Sequence, residues 1–180
     1  MTSVRVWGPG VGAVVVLVAT GAWARGSTGV DAGLWADVRP AIEARLVAQA
    51  QGDGYGESEP ALRAKWFCEA EALDLQESDG LVRAGVDTLC MEYGVREGAL
   101  VECSGADVPQ VMRLERETGS RYRVVAQEEA PDGAGSAEWA EDHFGSSTAS
   151  RLGDAVDSSR LESRARTYFS LPAGSPVKDC

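Results

Sequence analysis

Four cysteines, one histidine and a few acidic side chains on predicted strands or in a glycine-rich loop are the residues of this sequence whose types and spacing could do chemistry. The cysteines, Cys68, Cys90, Cys103 and Cys180, form an even set, which in an exported chain reads as a disulfide framework. Cys68 and Cys90 are equidistant from Asp79, so a simple hairpin sets them opposite each other. Cβ atoms at a non-hydrogen-bonded cross-strand position lie close enough to bridge. Cys90 and Cys103 are likewise symmetric about Arg96–Glu97, and Cys90 can take only one partner. Cys68–Cys90 is the preferred pair, with Cys103–Cys180 following if the tail folds back; buried free thiols are the competing reading. Zinc is poorly supported, because there is no closely spaced cysteine pair and a single histidine. A redox Cys-x-x-Cys is absent.

His143 would have to carry any Ser-His or Cys-His scheme. It falls on a short amphipathic helix beside Trp139 and Phe144, with no Gly-x-Ser-x-Gly elbow, and reads as a half-buried packing residue. Asp53, Glu57 and Glu59 offer hard oxygens from one glycine-rich loop, but their spacing does not match an EF-hand and solvated acids are the plainer reading. Asp74 and Asp87 lie on predicted strands, where burial could raise a carboxylate into the range of a general base. Asp87 falls on the face opposite Val86 and Cys90 and is therefore expected to be exposed. No catalytic residue, metal ligand or cofactor site is assigned, and no cofactor is expected.

The elements that must position these residues are legible from periodicity. Asp31 can cap a helix whose apolar face runs through Leu34 or Trp35, Val38, Ile42 and Leu46. Pro40 implies either a kink or a start near Asp37. From Trp66 to Glu129 the period drops to two, giving an antiparallel meander with turns at Ser78–Gly80, Gly94–Gly98, Gly105–Pro109 and Thr118–Ser120. Ala61 to Leu75 has mixed helical and strand character; strand is preferred, with a bulge near Ala72 to explain a change of phase. Trp66, Tyr122 and Trp139 read as core. After Gly133 the helical period returns: Ser136 can cap a helix carrying Trp139, Ala140, His143 and Phe144. A second helix, Ser150 to Phe169, presents Leu152, Val156, Leu161, Ala165 and Tyr168. The fold class is α+β: an N-terminal helix on a curved four-stranded antiparallel meander, then one or two C-terminal helices.

The chain has 180 residues with 17 basic and 28 acidic side chains, a net charge of −11. Phosphate binding needs a basic footprint, so neither nucleic acid nor an anionic membrane surface is an expected partner. At the N-terminus, Arg5 precedes an apolar run from Val11 to Thr20, and Ala22-Trp23-Ala24 supplies the small-x-small pattern of a signal-peptidase site. Residues 1–24 are expected as a signal peptide cut between Ala24 and Arg25, leaving a leader over 25–30, one domain over 31–169 and a flexible tail over 170–180. The competing reading is an uncleaved anchor, against which Pro9 and Gly8, Gly10, Gly12 and Gly21 weigh. Membrane contact is expected only through that segment if it is uncleaved, and the protein is expected in the cell envelope or outside it.

The middle of the chain resembles a group of small exported or lipid-anchored proteins of Gram-positive bacteria, within the NTF2-like or cystatin-like class. The residues carrying this are Cys90 with Tyr93, Leu100-Val101, Ser104-Gly105, Pro109, Tyr122 to Val125, Pro131-Asp132-Gly133 and the Trp139 to Phe144 helix. Gly145 stands where members often have Pro, and the lipoprotein cysteine is missing. The resemblance implies a curved sheet wrapping a helix, and export; it carries over no catalytic residue. The expected function is a non-catalytic domain that binds a small ligand or an envelope protein on the sheet face under the first helix. The alternative is an enzyme that moves a proton with a carboxylate or tyrosine in that cone.

Overall fold

The computed structural model describes residues 30–119, 121–150, 152 and 157–180. The expected signal segment 1–24, the Ala24–Arg25 cut site, most of the leader, Ser120 and Val156 lie outside them. The elements are α1 (Ala32–Ala50), β1 (Lys65–Ser78), β2 (Leu81–Arg96), β3 (Ala99–Asp107), β4 (Gln110–Arg116), β5 (Tyr122–Glu129), α2 (Ser136–Phe144), α3 (Ser146–Ala149), α4 (Ser159–Tyr168) and β6 (Val177–Asp179).

β2 is the axis of the sheet. Along one edge it pairs with β1 from Tyr93↔Lys65 to Leu81↔Ser78. Two two-residue turns frame it, Asp79-Gly80 and Glu97-Gly98, each with both residues at positive φ. That left-handed pair matches the twist of adjoining strands, and glycine takes its second position without a Cβ clash. The expected bulge is present: the register of β1 slips between Ala72 and Asp74, leaving Leu73 unpaired.

The sheet differs from a four-stranded meander. It has six strands in the order β5-β4-β2-β3-β6, with β1 on the other side of β2. β3 and β4 share one edge of β2 with continuous register: Leu89 faces Asp107, and three residues on, Val86 faces Gln110. Val108–Pro109 interrupts them, since proline cannot donate to a ladder. The outer neighbours then differ: β5 runs antiparallel to β4, while β6 runs parallel to β3 over Leu100–Glu102. Residues 170–180, expected as a flexible tail, thus contain a strand. Cys180 is bonded to Cys103, and its N–H donates to the Glu102 carbonyl at 2.9 Å.

Each face of the sheet has its own cover. α1 begins at Ala32, where the Asp31 carboxylate accepts the Leu34 N–H at 2.7 Å, and continues through Pro40 to Ala50. Pro40 and Ala36, whose carbonyl loses its donor there, are both exposed, so water can satisfy that carbonyl. Val38, Ile42 and Leu46 pack against Cys68, Val82, Ala84, Val86, Met112 and Leu114. Arg45 donates to Gln127 and Gln49 to Glu129, which ties the helix to β5. On the opposite face Leu161 and Ala165 of α4 pack on Phe67, Leu89, Tyr93 and Leu100. Tyr168 does not complete that stripe; it is 59% exposed. The helix expected from Ser150 is shorter, starting at Ser159. Ser136 is the first residue of α2 and makes no capping bond.

A belt of charge lies over the outer edge of β1 between Cys68 and Glu71. Arg164 donates to the Cys68 carbonyl at 2.9 Å and lies 3.8 Å from Glu43 of α1, while Arg160 reaches Glu69 and Glu71. Charged side chains over a strand edge are a known guard against strand-to-strand aggregation.

Candidate functional site: an acid-flanked groove at an unpaired strand edge

Cys68 and Cys90 are direct partners in the β1–β2 register and are bridged, with Cα atoms 4.1 Å apart; Cys103–Cys180 is the second bridge. Two disulfides indicate an oxidising, extracellular environment. His143 is half-buried and stacks on Trp139 at 4.1 Å between ring centroids. Its Nδ1 lies 2.7 Å from the Trp139 carbonyl and its Nε2 3.3 Å from Glu128 Oε1, which also accepts the Trp139 indole N–H at 3.0 Å. It serves as a clasp between α2 and β5, and among the described residues no nucleophile shares its hydrogen bonds.

Asp74 gains its role from the bulge. With Leu73 extruded, its carboxylate accepts the Gly85 N–H at 2.9 Å and is held by Arg83 Nη1 at 2.9 and 2.7 Å. The same Arg83 donates to the His143 carbonyl at 3.0 Å, so this pair fixes the end of α2. Asp53, Glu57 and Glu59 form no metal centre, and among the described residues no group of three or more His, Cys, Asp or Glu side chains could hold an ion. Glu57 accepts the Gly52 N–H at 2.6 Å.

The expected exposure of Asp87 is corrected: it is only 9% exposed. The sheet carries cover on both faces, so the side opposite Val86 is no solvent face. Burial first, then the neighbouring Asp107, push its carboxyl up to about 7. Glu69 and Glu102 are also raised, in each case mainly by burial. Glu69 has Arg160 beside it, at 3.3 Å. Asp87, Glu102 and Asp107 have no basic side chain within 4.0 Å among the described residues.

Glu92 escaped the sequence reading, although its phase with Val82, Ala84, Val86 and Cys90 places it on the α1 face. It is fully buried. Its Oε2 accepts the Gly56 N–H at 2.8 Å, and Oε1 has no partner among the described residues. Gly54 and Gly56 permit this approach, for a Cβ at Gly54 would sit 2.4 Å from the carboxylate. Ser104 accepts the Tyr55 N–H at 2.9 Å, so the two strand residues moor the 52–58 loop.

The sheet face under α1, expected as the binding surface, is filled: Val38, Ile42, Val82, Val86, Met112 and Leu114 are completely buried. The open concavity lies elsewhere. A groove of about 430 Å³ runs along the outer edge of β3, over Leu89 and Met91, from Glu102 to Asp107. A second groove of about 430 Å³ lies under the 56–65 segment. Neither acid at the ends of the β3 groove stood out in the sequence, because only the folding of distant segments brings Asp107 beside Asp87 and Glu102 near Glu162 and Asp179. No family profile, curated protein or solved structure matches this chain.

Proposed function

We propose that this protein is an exported, non-catalytic domain of the cell envelope that binds a partner at the β3 groove. The observation that carries this is the contrast between a filled α1 face and an open groove flanked by unpaired acids. The two disulfides and the apolar run before Ala24 support an exported protein with a cleaved signal. The resemblance of Trp66 to Phe144 to small exported proteins of the NTF2-like class points the same way.

An acid–base enzyme is favoured by one observation, the buried Asp87 with its carboxyl near 7 beside Asp107. Binding is preferred because Asp107, beside Asp87, borders a groove that is open and does not exclude water.

A photoreactive amino acid replacing Ala106, in the cell that makes the protein, tests the reading. A discrete adduct formed outside the cytoplasm, and absent when the probe replaces Asp37 on the exposed side of α1, is expected. Equal smears from both positions, or no adduct from Ala106, would overturn it.

A further inference from the structure

We propose that the unpaired edge of β3 between Cys103 and Asp107 takes up an extended peptide segment of a partner as an added strand, with a basic side chain beside Asp107. This rests on the binding reading above and names its mode.

The outermost row of the sheet has a gap. β6 pairs β3 only from Leu100 to Glu102. On the other side β5 covers β4, and the last backbone bond from that end runs from the Ala130 N–H to the Pro109 carbonyl at 3.0 Å. Between them lie about five residues of strand edge, some 17 Å at the usual rise. Gly105, Ala106 and Asp107 are all exposed.

Backbone parity says which groups point outward. The Val108 N–H donates to the Thr88 carbonyl at 2.9 Å, so Val108 faces β2. Alternation along an antiparallel strand then turns Ala106 and Ser104 inward as well, and Gly105 and Asp107 outward. Neither outward residue has a backbone partner on that side among the described residues. The N–H and C=O groups of these two residues repeat the pattern that β6 uses beside Leu100 and Glu102, where the Leu100 N–H meets the Pro176 carbonyl at 3.0 Å. Main-chain bonds of this kind give strand addition its affinity, and side-chain pockets give it specificity.

The side chains around the gap define the guest. Asp107 stands at one end with Asp87 behind it, and Glu102 stands at the other near Glu162 and Asp179. Of these, Glu162 has a basic partner, Arg166 at 3.0 Å. The raised carboxyls of Asp87 and Glu102 mark places where a cation would relieve burial and repulsion. At Gly105 no Cβ stands over Met91; one built there would lie 2.6 Å from the thioether sulfur. A guest residue beside Gly105 can lay an apolar side chain against Met91, two positions from the basic residue that meets Asp107.

The acetylated, amidated peptide Thr-Lys-Thr-Val-Thr-Lys-Thr has this spacing in both directions and serves as the probe. Amide exchange by NMR on the full chain is expected to slow at Gly105 and Asp107 by about tenfold or more at saturation, as for new ladder bonds. Replacing both Lys by Glu should weaken binding by about tenfold or more, through like-charge repulsion. N-methylation on the ladder-facing side should abolish it, and Asp107→Asn, an exposed change, should weaken it several-fold while leaving the fold intact. No saturable protection at millimolar peptide would overturn strand addition. So would equal binding of the acidic or N-methylated peptide, or protection of Gly105 that depends on protein concentration alone, which would assign the edge to a second copy. A crosslinked adduct at Ala106 together with an inert peptide would remove this mode and leave the binding reading standing.

Discussion

The two faces of the sheet solve the same problem differently. Under α1, one continuous helix lays Val38, Ile42 and Leu46 on an apolar floor, and the lone buried acid, Glu92, is met by the Gly56 N–H. The opposite face is covered in pieces by α2, α4 and the returning tail, and keeps Glu69, Asp87 and Glu102 in surroundings that raise their carboxyls. Close packing of apolar groups leaves the floor under α1 filled. Incomplete cover leaves the other with Asp87 and Glu102 lacking a basic partner among the described residues, and with an open strand edge, which are the features the proposed binding rests on.

The largest expected effect concerns the staple that holds the second cover. Cys103→Ser with Cys180→Ser opens a crosslink spanning 77 residues, worth about 4.5 kcal/mol in the chain-entropy picture, against about 3.4 for the 22-residue Cys68–Cys90 link. Denaturant unfolding should rank the two in that order. Hydrogen exchange should rise first in α4 and Val177–Asp179 while α1 stays protected; early loss of α1 would mean that the faces are not separable.

Next is pH. Asp87 binds its proton more tightly folded, near 7, than at its ordinary 3.8, so its contribution favours folding most below about pH 4 and is lost as pH rises through 7. Glu69 and Glu102 shift in the same direction. Stability should fall between pH 4 and 8 by up to roughly 4 kcal/mol from Asp87 alone, at 1.36 kcal/mol per unit. Asp87→Asn should flatten that slope in thermal melts, and an unchanged slope would place the burden elsewhere.

On the apolar face Ile42→Ala should cost about 3 kcal/mol in urea unfolding without altering peptide binding at β3. The smallest effect is Arg83→Met, which removes the bonds to Asp74 and the His143 carbonyl. About 2 kcal/mol is expected, with Trp139 fluorescence reporting release of α2.

Much of this was readable where the determinant is local. Asp79-Gly80 announces its turn, symmetry about it narrows Cys90 to two partners of which the preferred Cys68 is the one bridged, and the change of phase after Ala72 announces the bulge. What escaped reading depends on distant segments. Pro109 looks like a turn residue, and only the register shows that it divides one long edge between two neighbours. Val177–Asp179 is too short to show a period, and its strand character comes from β3 and Cys180. Asp87 looked solvent-facing because alternation reports one buried face and is silent about a second cover arriving from the C-terminal third. The unpaired edge is likewise a property of pairing and not of any residue.

The unequal spans of the two crosslinks also order their chemistry in time. A sulfur pair joined across a two-residue corner needs only that corner to be made, so oxidation can seal it as soon as both arms have emerged. The long-span pair must wait for the C-terminal segment to settle beside a finished sheet. Species trapped early in oxidative maturation should therefore carry the short link alone, with the far cysteines still alkylatable.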